Sequence, residues 1–216
     1  MNDTVELIKK HRLIAIIRNV DSEDLIPLCH ALYEGGVRLV EVTFCHDGES
    51  DEKTTGKIRL IAENFADKLV VGAGTVLTER QVRLTRDAGG KFIISPNTNS
   101  SVIGETKKCG LISIPGALTP TEIVNAYSSG ADFVKVFPLG ESGSEYIKAL
   151  RAPLSHIPLI AVGGVCPDNM REYLDTGIIG VGIGSGIVRG DSIKKRDFAA
   201  IQRLAGEYVK IIEESR

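Results

Sequence analysis

Eight short apolar runs, rich in β-branched residues, alternate with helical segments along the chain of 216 residues. Runs of this length and composition are typical of buried strands, and strict alternation with helices indicates parallel strands joined by crossover helices. Eight such units predict an α/β fold, a (β/α)8 TIM barrel, in which residues 1–216 form a single domain with a short N-terminal helix. The runs cover residues 13–18, 37–44, 69–75, 91–96, 110–116, 132–138, 158–164 and 178–185.

An open, doubly wound sheet is the alternative fold for alternating strands and helices. That fold usually needs fewer strands, and no glycine-rich dinucleotide-binding motif follows the first run. The helical segments carry the expected boundary signals; segment 118–130, for example, begins with Thr119, Pro120 and Glu122 and ends at Gly130. These residue types satisfy or avoid the unpaired backbone groups at helix ends. They support the division of the chain into strands and helices.

The composition excludes several classes of function. A net charge of −2 leaves no basic footprint for nucleic acid, and no apolar run is long enough to span a membrane. The polar N-terminal segment does not resemble a signal peptide. The cysteines Cys29, Cys45, Cys109 and Cys166 are scattered, without the spacing of a metal site. We therefore expect a cytoplasmic protein with reduced thiols, no nucleic-acid or membrane partner, and no bound metal.

A lysine lies inside the sixth apolar run, DFVKVFP, at residues 132–138. Because side chains alternate across a strand, Phe133, Lys135 and Phe137 share one face and the two valines share the other. Valines suit the helix-covered outside of a barrel, so Lys135 is expected to point inward. A lysine in that position must reach water, pair with an acid or lose its charge.

Three further polar residues lie in or at the ends of other predicted strands. Glu41 occupies the inward face of the second run, Arg18 ends the first run, and Thr75 ends the third. A closed barrel brings them together with Lys135 at the carboxyl-terminal mouth, where such folds keep their active sites. A buried ion pair with a purely structural role is the alternative for Lys135 and Glu41. Two inward charges on non-adjacent strands favour function.

Glycine clusters end the last two predicted strands, in the segments AVGGV (161–165) and GVGIGSGI (180–187). Glycine lets the backbone approach a ligand closely and present bare N–H groups to it. In barrels of this type the loops after strands seven and eight often bind phosphate. The glycines could also serve only to allow tight turns, but their position favours a phosphate site.

The ordered set of motifs resembles the class I aldolases for 2-keto-3-deoxy-6-phosphogluconate and 2-keto-4-hydroxyglutarate, including the relatives that act on the 6-phosphogalactonate epimer. The resemblance covers roughly residues 10–212 and implies a Schiff-base-forming (β/α)8 barrel, a homotrimer, that works without metal or organic cofactor. The motifs are GGVRLVEVTF, VVGAGTV, ISPN, IPGALTPTE, VKVFP, AVGGV and GIGSGIV.

The resemblance also implies roles for individual residues. Lys135 is the expected Schiff-base lysine and Glu41 the expected general acid and base. The remaining expected residues bind substrate: Thr75 and Pro96 at the pyruvate end, Arg18 at anionic substrate groups, Val162 near the sugar, and Gly163, Gly164, Gly184 and Ser185 at the phosphate. A free lysine has a pKa of about 10.4. Burial and Arg18 would lower that pKa, whereas ionised Glu41 would raise it.

The chain departs from the family pattern at two places. Many members have an arginine where this chain has Cys45, and gluconate-type members read Pro-Thr-Gly-Gly where this chain reads Ala161 to Gly164. Val162 has no hydroxyl that could bond the sugar's C4 oxygen, which weakens the case for strict gluconate specificity. Neither Cys45 nor the adjacent His46 has partners at a spacing typical of a metal site or a catalytic nucleophile.

The expected reaction is cleavage of 2-keto-3-deoxy-6-phosphogluconate, or its galactonate epimer, to pyruvate and glyceraldehyde 3-phosphate. Cleavage of 2-keto-4-hydroxyglutarate to pyruvate and glyoxylate is a further activity that the resemblance allows. Two other hypotheses remain at this stage. A phosphosugar epimerase or isomerase would need similar phosphate loops but no lysine in strand six. A non-catalytic phosphosugar-binding barrel would have no reason to bury Lys135 and Glu41.

Overall fold

The structure is a computed structural model that describes residues 2–45, 50–140 and 143–215. Its strands are β1 (Leu13–Ile17), β2 (Leu39–Thr43), β3 (Val70–Gly74), β4 (Phe92–Ile94), β5 (Ile112–Ile114), β6 (Gly116–Ala117), β7 (Val134–Val136), β8 (Leu159–Val162) and β9 (Gly180–Ile183). Its helices are α1 (Asn2–His11), α2 (Ser22–Glu34), α3 (Asp51–Asn64), α4 (Glu79–Asp87), α5 (Ser100–Lys108), α6 (Pro120–Ser128), α7 (Gly143–Arg151), α8 (Pro167–Asp175), α9 (Gly190–Lys194) and α10 (Phe198–Glu214).

The strands form a parallel barrel in the order β5-β4-β3-β2-β1-β9-β8-β7-β6. The two strands at the ends of this order, β5 and β6, are separated only by Pro115. They are therefore halves of one of the eight barrel strands, each of which is called a stave here. One half pairs with β4 and the other with β7. Proline has no N–H to donate, which interrupts the stave that the sequence predicted as one strand over 110–116. The predicted TIM barrel is confirmed, and the open doubly wound sheet is wrong.

Two apolar layers hold the barrel. The outer layer lies between the strands and the surrounding helices and includes the valines of β7, Val134 and Val136. The inner layer fills the barrel itself with side chains such as Leu39, Phe92 and Ile112. Side chains of the two layers alternate along each strand, as a pleated strand requires. The alternation therefore places Lys135 and Glu41 inside the barrel.

The N-terminal helix α1 closes the amino end of the barrel. Ile8 is buried, and with Val5 it packs against the inner apolar layer. The loop after α1 is held by the Arg12 guanidinium, whose Nε donates to the carbonyl of Ile179 at 3.0 Å. Arg12 also has a backbone φ of 57°. The opposite, carboxyl end of the barrel is consequently the end available for a ligand.

Side-chain caps fix the helix starts near that carboxyl end. Thr119 accepts from the Glu122 N–H at 3.4 Å, and the Glu122 carboxylate accepts in return from the Thr119 N–H at 2.8 Å. Thr78 accepts from the Gln81 N–H at 3.2 Å. Each cap satisfies backbone donors that a helix start leaves free.

None of the helices in the described ranges is both long and apolar enough to cross a membrane.

Candidate active site

A cavity of about 1010 Å³ opens at the carboxyl end of the barrel. Each residue that the sequence predicted for a site lies in its wall, so the fold brings together side chains from seven staves. These residues are Arg18, Glu41, Thr75, Pro96, Lys135, Val162, Gly163, Gly164, Gly184 and Ser185. The cavity is the place where barrels of this fold carry their chemistry.

Lys135 is the central residue of β7 and is only 8% exposed. Its backbone is fixed by a hydrogen bond from its N–H to the carbonyl of Pro115, at 2.9 Å. Its Nζ lies 4.2 Å from the centroid of the Phe137 ring. Burial lowers the pKa of the amine below that of an ordinary lysine; Glu41 partly opposes this shift, and the Arg18 cation adds to it. The lower pKa makes the neutral, nucleophilic form more accessible than in an exposed lysine.

Glu41 is the central residue of β2 and is 2% exposed. Burial raises the pKa of its carboxyl group, while the positive charges of Lys135 and Arg18 act in the opposite direction. The carboxyl group occupies space that exists only because residue 74 is glycine. A Cβ on Gly74 would overlap Glu41 Oε1 and Cδ. The glycine of β3 therefore shapes the position of the acid on β2.

The carboxyl group and the amine face the same cavity without direct pairing. Within the described residues, Glu41 Oε2 has no hydrogen-bond partner. A buried carboxylate oxygen of this kind is expensive to leave unpaired unless a ligand or a water bonds it. Since burial shifts both groups toward their neutral forms, the pair can supply an unprotonated amine and an acid that readily exchanges its proton.

Arg18 and Thr75 form a second polar pair in the cavity wall. Arg18 Nη2 donates to Thr75 Oγ1 at 3.3 Å. Thr75 has a backbone φ of 57°, an uncommon conformation for a β-branched residue. Strained backbone of this kind often lies at binding sites. The hydroxyl and the guanidinium can together donate hydrogen bonds to an anionic group such as a carboxylate.

The loops after β8 and β9 present free backbone donors. Gly163 and Gly164 have φ angles of 98° and 76°, which glycine adopts without strain. In the described part of the chain, no hydrogen bond is donated by the N–H groups of Gly163, Gly164, Ser185 or Gly186. Asn169 Nδ2 holds the first of these loops by donating to the Gly164 carbonyl at 2.9 Å. Such clustered N–H groups suit a phosphate.

The cavity also contains residues that the sequence did not single out as site residues. Phe137 lies two positions after Lys135, on the same face of the strand. The alternation of side chains along the strand was therefore a signal that Phe137 faces the cavity. Asn19, Asp21, Asp24 and Lys194 lie in loops or helices, where no periodic pattern predicts orientation. Asp24 forms an ion pair with Arg196 at 3.4 Å, which ties α2 to the loop before α10.

Cys45, at the position of the departure from the family pattern, lies at the barrel mouth outside the cavity wall. Its Sγ is 3.8 Å from Asn19 Oδ1. His46 lies outside the described residues. Among the residues that are described, no three His, Cys, Asp or Glu side chains come together as a metal site would require.

The sequence of this chain is similar to those of known aldolases. The sequence model of the aldolase family described as KDPG and KHG aldolase matches residues 4–204. The 2-dehydro-3-deoxy-6-phosphogalactonate aldolase of Escherichia coli strain K12 is 36% identical over 185 residues, or 85% of this chain and 88% of the relative. The 2-dehydro-3-deoxy-phosphogluconate aldolase of Treponema pallidum strain Nichols is 33% identical over 210 residues, or 96% of each chain.

Solved structures agree with the sequence comparison. A structure described as native KDPGal has 35% identity and a TM-score of 0.84, covering 94% of this chain and 95% of its own. The KDPG aldolase of Legionella pneumophila has 27% identity and a TM-score of 0.82, covering 94% of this chain and 96% of its own. In that structure pyruvate is captured at low pH as a covalent carbinolamine intermediate.

Proposed function

The chain belongs to the KDPG and KHG aldolase family of class I aldolases, which are lyases, and we propose that it cleaves 2-keto-3-deoxy-6-phosphosugar acids to pyruvate and glyceraldehyde 3-phosphate. The single observation that carries this proposal is the buried amine of Lys135, which shares one cavity with Glu41 and a set of free backbone N–H groups. A Schiff-base aldolase needs the amine and the acid–base group, and a phosphorylated substrate needs the anion-binding N–H groups.

Lys135 is the proposed nucleophile. Its neutral amine attacks C2 of the substrate and forms a carbinolamine, which loses water to give a cationic iminium. The iminium then accepts the electron pair of the C3–C4 bond as that bond breaks, which leaves an enamine on the lysine and an aldehyde at C4. Support for the first step comes from the Legionella pneumophila relative, in which pyruvate forms a carbinolamine.

Glu41 is the proposed general base and acid. Its carboxylate removes the proton of the C4 hydroxyl, directly or through one water, as the C3–C4 bond breaks. The same carboxyl group then protonates C3 of the enamine, and hydrolysis of the resulting iminium releases pyruvate and restores the amine. A raised pKa favours this exchange because the group can hold its proton between the two steps.

The two polar ends of the cavity would orient the substrate. We assign the substrate carboxylate to the end with Arg18, Thr75 and Pro96. The phosphate is assigned to the loops after β8 and β9, at Gly163, Gly164, Gly184 and Ser185, where free backbone N–H groups lie. Remote phosphate binding would hold C2 against the amine and so contribute to the rate of the chemical step.

Substrate choice at C4 is proposed to be broad. Val162 forms the end of β8 beside Gly163 and offers only methyl groups where a hydroxyl could discriminate the two epimers. We therefore expect turnover of both the gluconate and the galactonate compounds. The 2-keto-4-hydroxyglutarate substrate lacks a phosphate and would be a poorer third substrate, because it leaves the backbone N–H groups of the phosphate loops unused.

Pyruvate release from both C4 epimers tests the proposal. Lys135→Met, which retains length but has no amine, should abolish release from either epimer, whereas Lys148→Met at an exposed position should not change it. Val162→Thr should favour the gluconate epimer. Wild-type rates in Lys135→Met would refute the Schiff-base mechanism, and proton exchange without carbon–carbon cleavage would indicate an epimerase.

Assembly as a homotrimer remains a prediction from the family resemblance. Light scattering should then give about three times the chain mass of 23.3 kDa. A mass equal to that of one chain would contradict it.

A further inference from the structure

Among the described residues, Phe137 is the one whose ring makes a cation–π contact with the reactive nitrogen. The Lys135 Nζ lies over the face of this ring, 4.2 Å from its centroid. The two residues are two positions apart on one stave, so both side chains point into the barrel. The Phe137 N–H donates to the carbonyl of Ala117 at 3.0 Å, which fixes the backbone that carries the ring. Phe137 also lines the cavity.

The ring is the principal partner of the amine. Within the described ranges, Lys135 Nζ donates no hydrogen bond and forms no ion pair. A charged nitrogen in such a buried position needs some compensating interaction. The face of an aromatic ring carries a negative electrostatic potential and attracts a cation within about 6 Å.

The attraction acts on only some states of the nitrogen. The ring stabilises the ammonium and the iminium, both of which are cationic, but gives little to the neutral amine or the neutral carbinolamine. When the carbinolamine takes up a proton and loses water, the nitrogen becomes cationic beneath the ring. Phe137 therefore favours the dehydrated iminium over its precursor.

We propose that Phe137 is a catalytic residue whose ring face stabilises the positive charge of the Lys135 iminium. This inference rests on the proposed Schiff-base function of Lys135. It assigns a chemical role to a residue that could otherwise be regarded as part of the apolar packing. Variants that remove the aromatic ring but keep an apolar side chain separate these two roles.

The test is borohydride trapping of pyruvate on the full-length protein, read by intact mass as a function of pH. Phe137→Leu keeps an apolar side chain and removes the ring, and Phe137→Met provides a second aliphatic variant should the first fail to fold. Phe137→Tyr keeps the ring face. The matched packing control is Phe133→Leu, which removes a buried ring of the inner apolar layer that makes no cation–π contact with Lys135.

At pH values where the free amine is neutral, loss of the ring face should reduce the trapped fraction roughly 3- to 30-fold, the range expected for a cation–π contact. At lower pH the fraction should stay the same, because the competing ammonium and the iminium lose the same stabilisation. The pH midpoint of trapping should therefore fall together with the pKa of the amine. Extra water admitted by a packing defect would move that midpoint upward instead. Phe137→Tyr, which keeps the ring face, should restore most of the trapping that Phe137→Leu loses, and Phe133→Leu should trap pyruvate like the unchanged protein.

Two results would overturn the inference and are distinguishable. A pH profile of trapping at Lys135 that is unchanged in Phe137→Leu at every pH, or that changes equally in Phe133→Leu, would refute the role of the ring and leave the proposed function intact. Absence of any adduct on the unchanged, folded protein would refute the proposed function and the inference with it.

Discussion

The Glu41 carboxyl group depends on the missing side chain of Gly74. A Cβ at that position would occupy the place of Oε1, so the carboxyl group would have to turn away from the cavity. Gly74→Ala should therefore reduce the rate of pyruvate release by roughly 100-fold or more, the usual contribution of a general acid and base. Steady-state kinetics of the single variant measures this loss.

The control for this prediction is the double variant. If Gly74→Ala acts through Glu41, then adding it to Glu41→Gln should cause little further loss, because both changes disable one group. Losses that multiply in the double variant would show that Gly74 acts through some other part of the site.

The charges around Lys135 predict the direction of two pH shifts. The Arg18 cation disfavours the ammonium, so Arg18→Gln should raise the pKa of Lys135 and move the onset of imine formation to higher pH. Glu41 favours the ammonium, so Glu41→Gln should move the onset to lower pH. The initial rate of trapping with pyruvate, measured across pH, checks both directions, and equal profiles in the two variants would contradict them.

At the level of secondary structure, most of the barrel follows from local patterns in the sequence. Each predicted strand appears, because apolar runs bounded by turn residues have few other places to be buried. The helix start at Thr119 was predictable for the same reason, since the capping residues satisfy donors within three positions along the chain.

Other features depend on contacts that no local pattern contains. Pro115 splits the fifth stave, but the Pro115 carbonyl still accepts from the Lys135 N–H, so the stave stays bonded to β7. The sequence placed Phe137 on the face of Lys135, but it could not give the 4.2 Å approach of the nitrogen to the ring. The absence of a direct bond between Lys135 and Glu41 likewise follows only from the three-dimensional arrangement.

Helix α5 offers a matched test of glycine conformation. Gly104 lies inside the helix with open space around its Cβ position, so Gly104→Ala should stabilise the protein by about 1 kcal/mol. Gly110, just after the helix, also has open space but a φ of 71°. Gly110→Ala should destabilise by about 1–2 kcal/mol. Urea unfolding of both variants checks the opposite signs; a shared sign would contradict the backbone argument.

On the scale of the whole molecule, the two ends of the barrel have different tasks. The amino end is closed by α1 and is apolar, whereas the carboxyl end carries the polar cavity. This separation allows the cavity to hold a buried amine and a buried acid, which weaken the fold, while the rest of the barrel supplies stability.

Ile8 tests that separation. Ile8→Ala removes a fully buried side chain from α1 and should lower the free energy of unfolding by about 2–5 kcal/mol. It should leave the kcat/KM for pyruvate release nearly unchanged, since α1 lies at the end opposite the cavity. Glu6→Ala, at an exposed position of the same helix, is the control and should change neither quantity. A selective loss of kcat/KM in Ile8→Ala would contradict the separation.

The proposed mechanism depends on an imine between the Lys135 amine and pyruvate. The most direct measurement is borohydride reduction of the protein with pyruvate, followed by peptide mapping of the adduct. We expect one reduced adduct, on Lys135, in the unchanged protein and none in Lys135→Met. An adduct on a different lysine, or no adduct on the folded protein, would contradict it.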